Sequence, residues 1–422
     1  LTSTAPITVA VLGAGARGQL FASLVAEHGD VARVVAVAEP RDAARRAFAA
    51  RHRIDERAAF ASWQAFVAEP RMCDAVVVST MDQDHVGPAT ACLEKGYHLL
   101  LEKPMATTLE GCRAIGAAHR RAGTIASVCH SLRYHKGFAR VKELIGEGRV
   151  GDILSIDQLE QVGYWHYAHS YVRGNWGNEG RSTFMLLAKS CHDLDFICYL
   201  VGRECTEVSS FGTLSHFREA NAPAGSTARC TDGCSCESSC VYSALRLYVG
   251  GPLESWLRDP VDGESMPPDA ERRVSLLRSS PYGRCVWRAD NDVVDHQVVL
   301  MNFAGGVTAT FTMAGLTEKL ARRIRVHGTV GELEFEEDPY LGDRIALRRF
   351  GSAETEELCI SPEPGAHGGA DRRVVASWLA ALRSGDASLV LTSIEESLRT
   401  HTVTFAAEAA RHAGKVEKLS DW

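Results

Sequence analysis

One glycine-rich turn limits what this 422-residue chain can fold into more than any other feature. The apolar run Val9-Ala10-Val11-Leu12 leads directly into Gly13-Ala14-Gly15-Ala16-Arg17-Gly18. An apolar helical stretch follows, then a second apolar run, Val34-Val35-Ala36-Val37-Ala38, which ends in Glu39. Strand, glycine turn, helix, strand, acid is the order of a dinucleotide-binding βαβ unit, and each part has a physical task. Gly13 allows the tight turn, Gly15 lets the backbone approach a pyrophosphate, and Gly18 lets the helix pack closely on the strand. Phosphates belong at the helix N-terminus, at Ala16 and Arg17, where unpaired N–H groups and the helix dipole favour anions. Glu39 stands about 20 residues beyond the last glycine and can accept hydrogen bonds from a ribose diol. An acid there disfavours the extra phosphate of NADP, so NAD is the expected cofactor, with Arg41 nearby softening the preference.

The alternation continues to about residue 128. Residues 75–79 form a β-branched run, as in a parallel strand buried on both faces. Residues 89–94 read as helix, 98–101 as strand, 109–122 as helix and 124–129 as strand. This predicts a doubly wound Rossmann domain over residues 1–128. Residues 129–422 read differently. A helix at 136–146 leads into strands with period-two alternation at 153–161, 207–214, 293–302, 307–313 and 322–327, and Gly305-Gly306 signals a hairpin. The expected fold class is therefore α/β, with a C-terminal α+β domain built on an open, mostly antiparallel sheet and closed by helices at 372–384 and 393–412. A Cys-rich loop at 221–240 and a polar loop at 259–273 interrupt it.

A formal net charge of -7 argues against nucleic acid or an anionic membrane as partner. No run of about 20 apolar residues is present to span a bilayer. The first residues lack a basic segment followed by an apolar core, and most of the thirteen cysteines are scattered through apparent helices and strands. Together these predict a cytoplasmic protein with reduced thiols.

The motifs together resemble the glucose–fructose oxidoreductase and inositol dehydrogenase (Gfo/Idh/MocA) family. The resemblance rests on the glycine turn, Ala38-Glu39-Pro40, Ser79-Thr80 with His85, Glu102-Lys103-Pro104-Met105-Ala106, Cys191-His192-Asp193-Leu194-Asp195 and His367-Gly368-Gly369-Ala370-Asp371. It implies a sugar or cyclitol oxidoreductase in which Ser79, Thr80, His85, Glu102 and Lys103 bind the cofactor and His192 is the general base or a substrate ligand. The residues support this on their own terms. Lys103 follows a strand at the carboxyl edge of a parallel sheet, where ligands bind, and an ammonium there can steer an alcohol proton. Pro104 fixes the backbone beside it and is a candidate for a cis bond. A histidine of near-neutral pKa suits proton transfer. The common form of the family motif has an Asp four residues before the histidine, whereas this chain has Ala188 there and Lys189 beside it. Lys189 is thus a candidate to replace the missing acid, with Asp195 as another.

Substrate-binding candidates cluster nearby. Tyr164, Trp165 and His166 precede Arg173, Asn175 and Trp176, and His130, Arg133 and Tyr134 follow the last Rossmann strand. Rings stack on sugars, and Asn, His and Arg bind hydroxyls or anions. Arg173, Arg181 and Lys189 would suit an anionic substrate. The bland alternative for the ring-rich stretch is an interdomain or subunit contact.

Cys230, Cys234, Cys236 and Cys240 lie close together. In a reduced compartment such spacing reads as a structural zinc site, with Cys230, Cys234 and Cys240 joined by Cys236 or His216. Disulfides, free thiols or an iron–sulfur cluster are the alternatives.

The function expected is NAD-dependent oxidation of a secondary alcohol on a sugar, glycoside or cyclitol by a homo-oligomer associating through its C-terminal sheet. The alternative is an NAD-dependent glycosidase that oxidises carbon 3 transiently, eliminates the aglycone, adds water and re-reduces. A non-catalytic NAD sensor would be expected to lack Lys103.

Overall fold

A computed structural model of the protein describes residues 5–250 and 269–422. Six parallel strands form the first sheet: β1 (Ile7–Leu12), β2 (Ala32–Ala38), β3 (Ala59–Phe60), β4 (Ala75–Val78), β5 (His98–Leu101) and β6 (Ala126–Val128). Their order is β3-β2-β1-β4-β5-β6. The order reverses between β1 and β4, and that crevice is where a doubly wound sheet binds its ligand. Residues Val76, Val77, Leu100 and Leu101 are fully buried because helices cover both faces.

The second sheet has nine strands: β7 (Ile153–Gln161), β8 (Cys205–Thr213), β9 (His296–Phe303), β10 (Thr308–Ala314), β11 (Ala321–Gly328), β12 (Gly331–Glu336), β13 (Asp343–Arg349), β14 (Thr355–Ile360) and β15 (Glu417–Lys418). The order is β14-β13-β12-β11-β7-β10-β9-β8-β15, antiparallel except for the β7–β10 pair. Gly305 and Gly306, both at φ +83°, make the β9–β10 turn, a conformation side chains resist. The fold class expected from the sequence is the one observed. Strands β12 to β14 go beyond it. Their outer positions are charged and pair across the sheet (Arg323–Glu336 2.9 Å, Arg325–Glu334 3.0 Å), while Leu333, Phe335, Ile345 and Leu347 point inward. The density of charge hides the alternation.

The chain's far end returns to its beginning. Helix 370–384 buries Val374, Val375, Trp378 and Leu379 in the same apolar cluster as Val9, Val11 and Val37. Beside it, the N–H of Val128 donates to Thr392 O at 2.8 Å. The first sheet's core is thus completed by residues remote in sequence. Of the polar loop expected at 259–273, residues 259–268 lie outside the described residues. From Ala270 the chain is a helix to Ser279, capped by Asp269, whose carboxylate accepts the Glu271 N–H at 2.8 Å. Among the described residues no helix is long and apolar enough to cross a membrane.

Candidate active site

The glycine turn behaves as its spacing predicts. A Cβ on Gly13 would lie 2.5 Å from Ser79 O, and one on Gly18 would lie 1.9 Å from Gly13 O. A Cβ on Gly15 would meet nothing within 4 Å, so open space faces the turn where a pyrophosphate would be cradled. Glu39 is buried at the end of β2 and accepts the Ala14 N–H at 2.8 Å and the Arg41 N–H and Nε at 3.0 and 2.8 Å. Burial pushes its carboxyl up, but the Arg41 and Ala14 hydrogen bonds outweigh this and hold it below the ordinary range. These residues fit a dinucleotide at the β1–β2 edge, with an ionised acid for a ribose.

The remaining cofactor candidates build the wall rather than point outward. Ser79 Oγ donates to Gly13 O at 2.9 Å, and Thr80 Oγ1 donates to Asp84 O at 3.0 Å. The His85 ring lies between Pro104 O (2.7 Å) and Thr80 O (3.2 Å). Arg17 pairs with Glu102 and, in a two-pronged bond of 2.9 Å each, with Asp371. Glu102 also accepts the Lys103 N–H at 2.8 Å. Asp371 takes Ser131 Oγ at 2.8 Å and His367 Nδ1 at 2.9 Å as well. Burial raises this carboxyl, but Arg17 and His367 hold it well below its usual value. The sequence reading assigned Asp371 no role. Its signal was the His367-to-Asp371 spacing of one helical turn.

Lys103 stands just past β5, and the Lys103–Pro104 peptide is cis. Its ammonium donates to Ala188 O at 2.7 Å. A main-chain carbonyl at the position of the missing Asp thus holds the lysine. His192, at the start of helix 191–201, is buried, and among the described residues neither ring nitrogen has a hydrogen-bond partner. Burial, then Lys103 and neighbouring histidines, push its pKa well below the usual value, so the imidazole is neutral. His130, also buried with both nitrogens unpartnered, lies edge-on to His192 at 5.6 Å, and His367 lies 5.8 Å from it.

Behind this centre lies an ion cluster that sequence reading missed. Arg322 of β11 is directly opposite Glu160 of β7 and donates to it at 2.8 Å, and also to Asp193 at 2.7 Å. Both residues stand on inward positions of their strands, a polar break in the apolar period that was available as a signal. Lys189 reaches Glu160 at 3.5 Å. Burial lowers the Lys189 pKa, opposed by Glu160 and aided by Arg322 and Lys103. Burial pushes Asp193 up to about 7 despite Arg322. His166, buried against Ser170, is also lowered, first by burial and then by the Lys189 charge.

Other candidates are committed elsewhere. Arg133 is buried and makes a two-pronged pair with Asp195 at 2.8 Å, with its third nitrogen on Leu391 O. Tyr134 OH accepts the Leu391 N–H at 2.9 Å. Both tie the two halves of the chain together, and Asp195 is spent on Arg133. Arg173 binds Arg284 O at 2.8 Å and Tyr242 O at 2.7 Å, beneath the cysteine loop. Arg181 pairs with Asp290, so the expected basic trio is dispersed. Asn175 opens the short turn 175–177, and Trp176 Nε1 donates to Asp82 at 2.8 Å across to the first sheet. Tyr164 is half-buried against Tyr242, and Trp165 packs on the second core. The zinc set expected from spacing is not assembled. Among the described residues no three His, Cys, Asp or Glu side chains are grouped as a metal ion requires. His216 packs on Phe217, Tyr242 and Trp287 instead.

Two family models account for this geometry. "Oxidoreductase family, NAD-binding Rossmann fold" matches residues 7–130, and "Oxidoreductase family, C-terminal alpha/beta domain" matches residues 142–417. The chain belongs to the Gfo/Idh/MocA oxidoreductase family. Among its relatives is the YteT protein of Bacillus subtilis, 22% identical over 71% of this chain and 70% of that one. The 1,5-anhydro-D-fructose reductase of Ensifer adhaerens is 32% identical over 46% of this chain, and the match spans only 55% of that protein. The aldose–aldose oxidoreductase of Caulobacter crescentus, crystallised with glycerol, superposes with a TM-score of 0.68 over 98% of this chain and all of its own, at 18% identity. That last likeness is one of fold.

Proposed function

We propose that the protein oxidises a secondary alcohol of a sugar, glycoside or cyclitol, with NAD in the glycine-turn site. One pairing supports the reading: the Lys103 ammonium, just past β5, is held on Ala188 O, and the buried His192 imidazole, unpartnered among the described residues, is near enough for that ammonium to lower its pKa. Bound NAD would supply the hydride acceptor. The chain's own residues handle the proton. Lys103 donates a hydrogen bond to the reacting oxygen and lowers the cost of its negative charge. His192, neutral because burial and nearby cations oppose its charging, accepts the hydroxyl proton as the C–H bond breaks. Lys189 and His166 lie near enough to Lys103 to feel its charge and are the further polar candidates here. Arg17, Glu102 and Asp371 position the lysine through its own main chain.

A panel of polyols, sugars and glycosides with NAD, followed by NADH absorbance, tests this. Net NADH formation with one of them, lost in Lys103→Ala, supports the proposal. Aglycone release without net NADH would replace it with the redox glycosidase, and ligand binding without either would replace it with a sensor. The open face of the second sheet, with Phe211 and Leu300 exposed, supports association through that sheet, which light scattering of the purified protein would test.

A further inference from the structure

An isolated bridge between Arg229 and Arg284 brings two distant segments together. The Cys230 N–H donates to Gly283 O and the Cys285 N–H to Ala228 O, each at 2.9 Å. Cys285 thereby joins the loop cysteines. One small pocket is lined by Cys230, Cys234, Cys236, Cys240 and Cys285, together with Arg173. Cys230 Sγ accepts the Ala244 N–H at 3.4 Å. Cys236 does the reverse, its thiol donating to Ala224 O at 3.1 Å.

Arg173 adds an independent observation. It is 3% exposed, and its partners are two carbonyl oxygens, Cys230 Sγ at 3.8 Å and the Tyr248 hydroxyl. Among the described residues it has no carboxylate, and its Nη1 is buried without a partner. A buried guanidinium is costly without a counter-charge, and the thiols are the groups beside it that can supply one.

We propose that Cys230, Cys234, Cys240 and Cys285 bind one zinc ion, with Cys285 rather than Cys236 or His216 as the fourth ligand. Four thiolates around Zn²⁺ carry a net charge of about -2, which Arg173 partly neutralises. Binding releases the thiol protons to solvent and changes no oxidation state. Zn–S bonds of about 2.3 Å require the four sulfurs to converge on the ion, since no three such ligands are already grouped for a metal among the described residues. A closed four-sulfur shell leaves no site for water, so the ion is structural. It clamps the loop to the 283–287 segment and holds Tyr242, whose ring faces Tyr164 at 6.1 Å, behind the wall of the active site.

Elemental analysis of the full chain, purified without chelators, tests this independently of any substrate. One zinc per chain is expected in the unaltered protein and in Cys236→Ser. Cys285→Ser and Cys230→Ser are expected to fall at least ~10-fold below that. Absence of zinc together with five alkylatable thiols overturns the proposal, as does an iron chromophore, a disulfide released by reductant, or loss of zinc in Cys236→Ser with retention in Cys285→Ser. Should Cys285→Ser fail to fold, Co²⁺ loading of the unaltered chain decides. Thiolate-to-cobalt charge-transfer and tetrahedral ligand-field bands are expected, and their absence overturns the assignment.

Discussion

At the scale of single residues, burial separates two groups of candidates that look alike in sequence. Lys103 keeps its ammonium on a carbonyl and within reach of the cleft, and Lys103→Ala is expected to abolish turnover while NAD affinity changes by less than about threefold. Steady-state kinetics and a cofactor titration on the same variant check both halves. His192→Ala should lower kcat by about two to four orders of magnitude, and a change confined to KM would make it a substrate ligand only. Arg133 belongs to the other group. Removing it leaves Asp195 buried beside His130 without its cation, so Arg133→Ala is expected to cost about 3–5 kcal/mol of stability. Chemical denaturation would register that loss. A KM effect at unchanged stability would restore the substrate-binding role read from the sequence. Lys103 and His192 were legible because motifs mark them, whereas Glu160, Arg322 and Asp371 act through partners far away in the chain.

At the scale of elements, the glycine turn makes a sharp distinction between folding and binding. Gly15 has room for a methyl group, so Gly15→Ala should fold with an unchanged melting temperature yet weaken NAD by about tenfold or more, because the added group occupies the cradle. Gly18→Ala places the same group against the Gly13 carbonyl and is expected to cost about 3 kcal/mol or more, with helix and strand forced apart. Thermal melts paired with calorimetry separate the two. If Gly15→Ala binds NAD normally, the open space in front of the turn is not the phosphate site. The first two strands and this turn were readable in advance because local conformation and function coincide there. Strands β12 to β14 were not, since their outer charges are satisfied by neighbours across the sheet.

At the scale of the molecule, the fold buries a set of histidines that must stay neutral. Burial is the first cause that lowers His130, His166 and His192, and it brings His135 to about 4 and both His169 and His401 to about 3. A histidine with lower proton affinity folded than unfolded takes its proton first in the unfolded chain. Stability is then complete above the unfolded pKa of about 6.5 and is lost as pH falls toward the folded values. His135, His169 and His401 each cost about 1 kcal/mol by pH 5.5. The melting temperature should therefore drop steeply between pH 7 and 5.5, and a flat profile would mean these rings are hydrated or paired in solution.

The chain by itself determined the fold class, the dinucleotide turn, the motifs that carry Lys103 and His192, and the cysteine-rich loop, because each is written in a contiguous stretch whose geometry is local. Only the tertiary structure decided that Ala188 holds Lys103 through its carbonyl, that Arg133 and Arg173 are clamps, that helix 370–384 completes the first core, and that Cys285 stands with the loop thiols. Those outcomes depend on which distant groups share a desolvated space. A buried charge takes whatever partner the packing offers, and residue spacing along the chain carries no record of that choice.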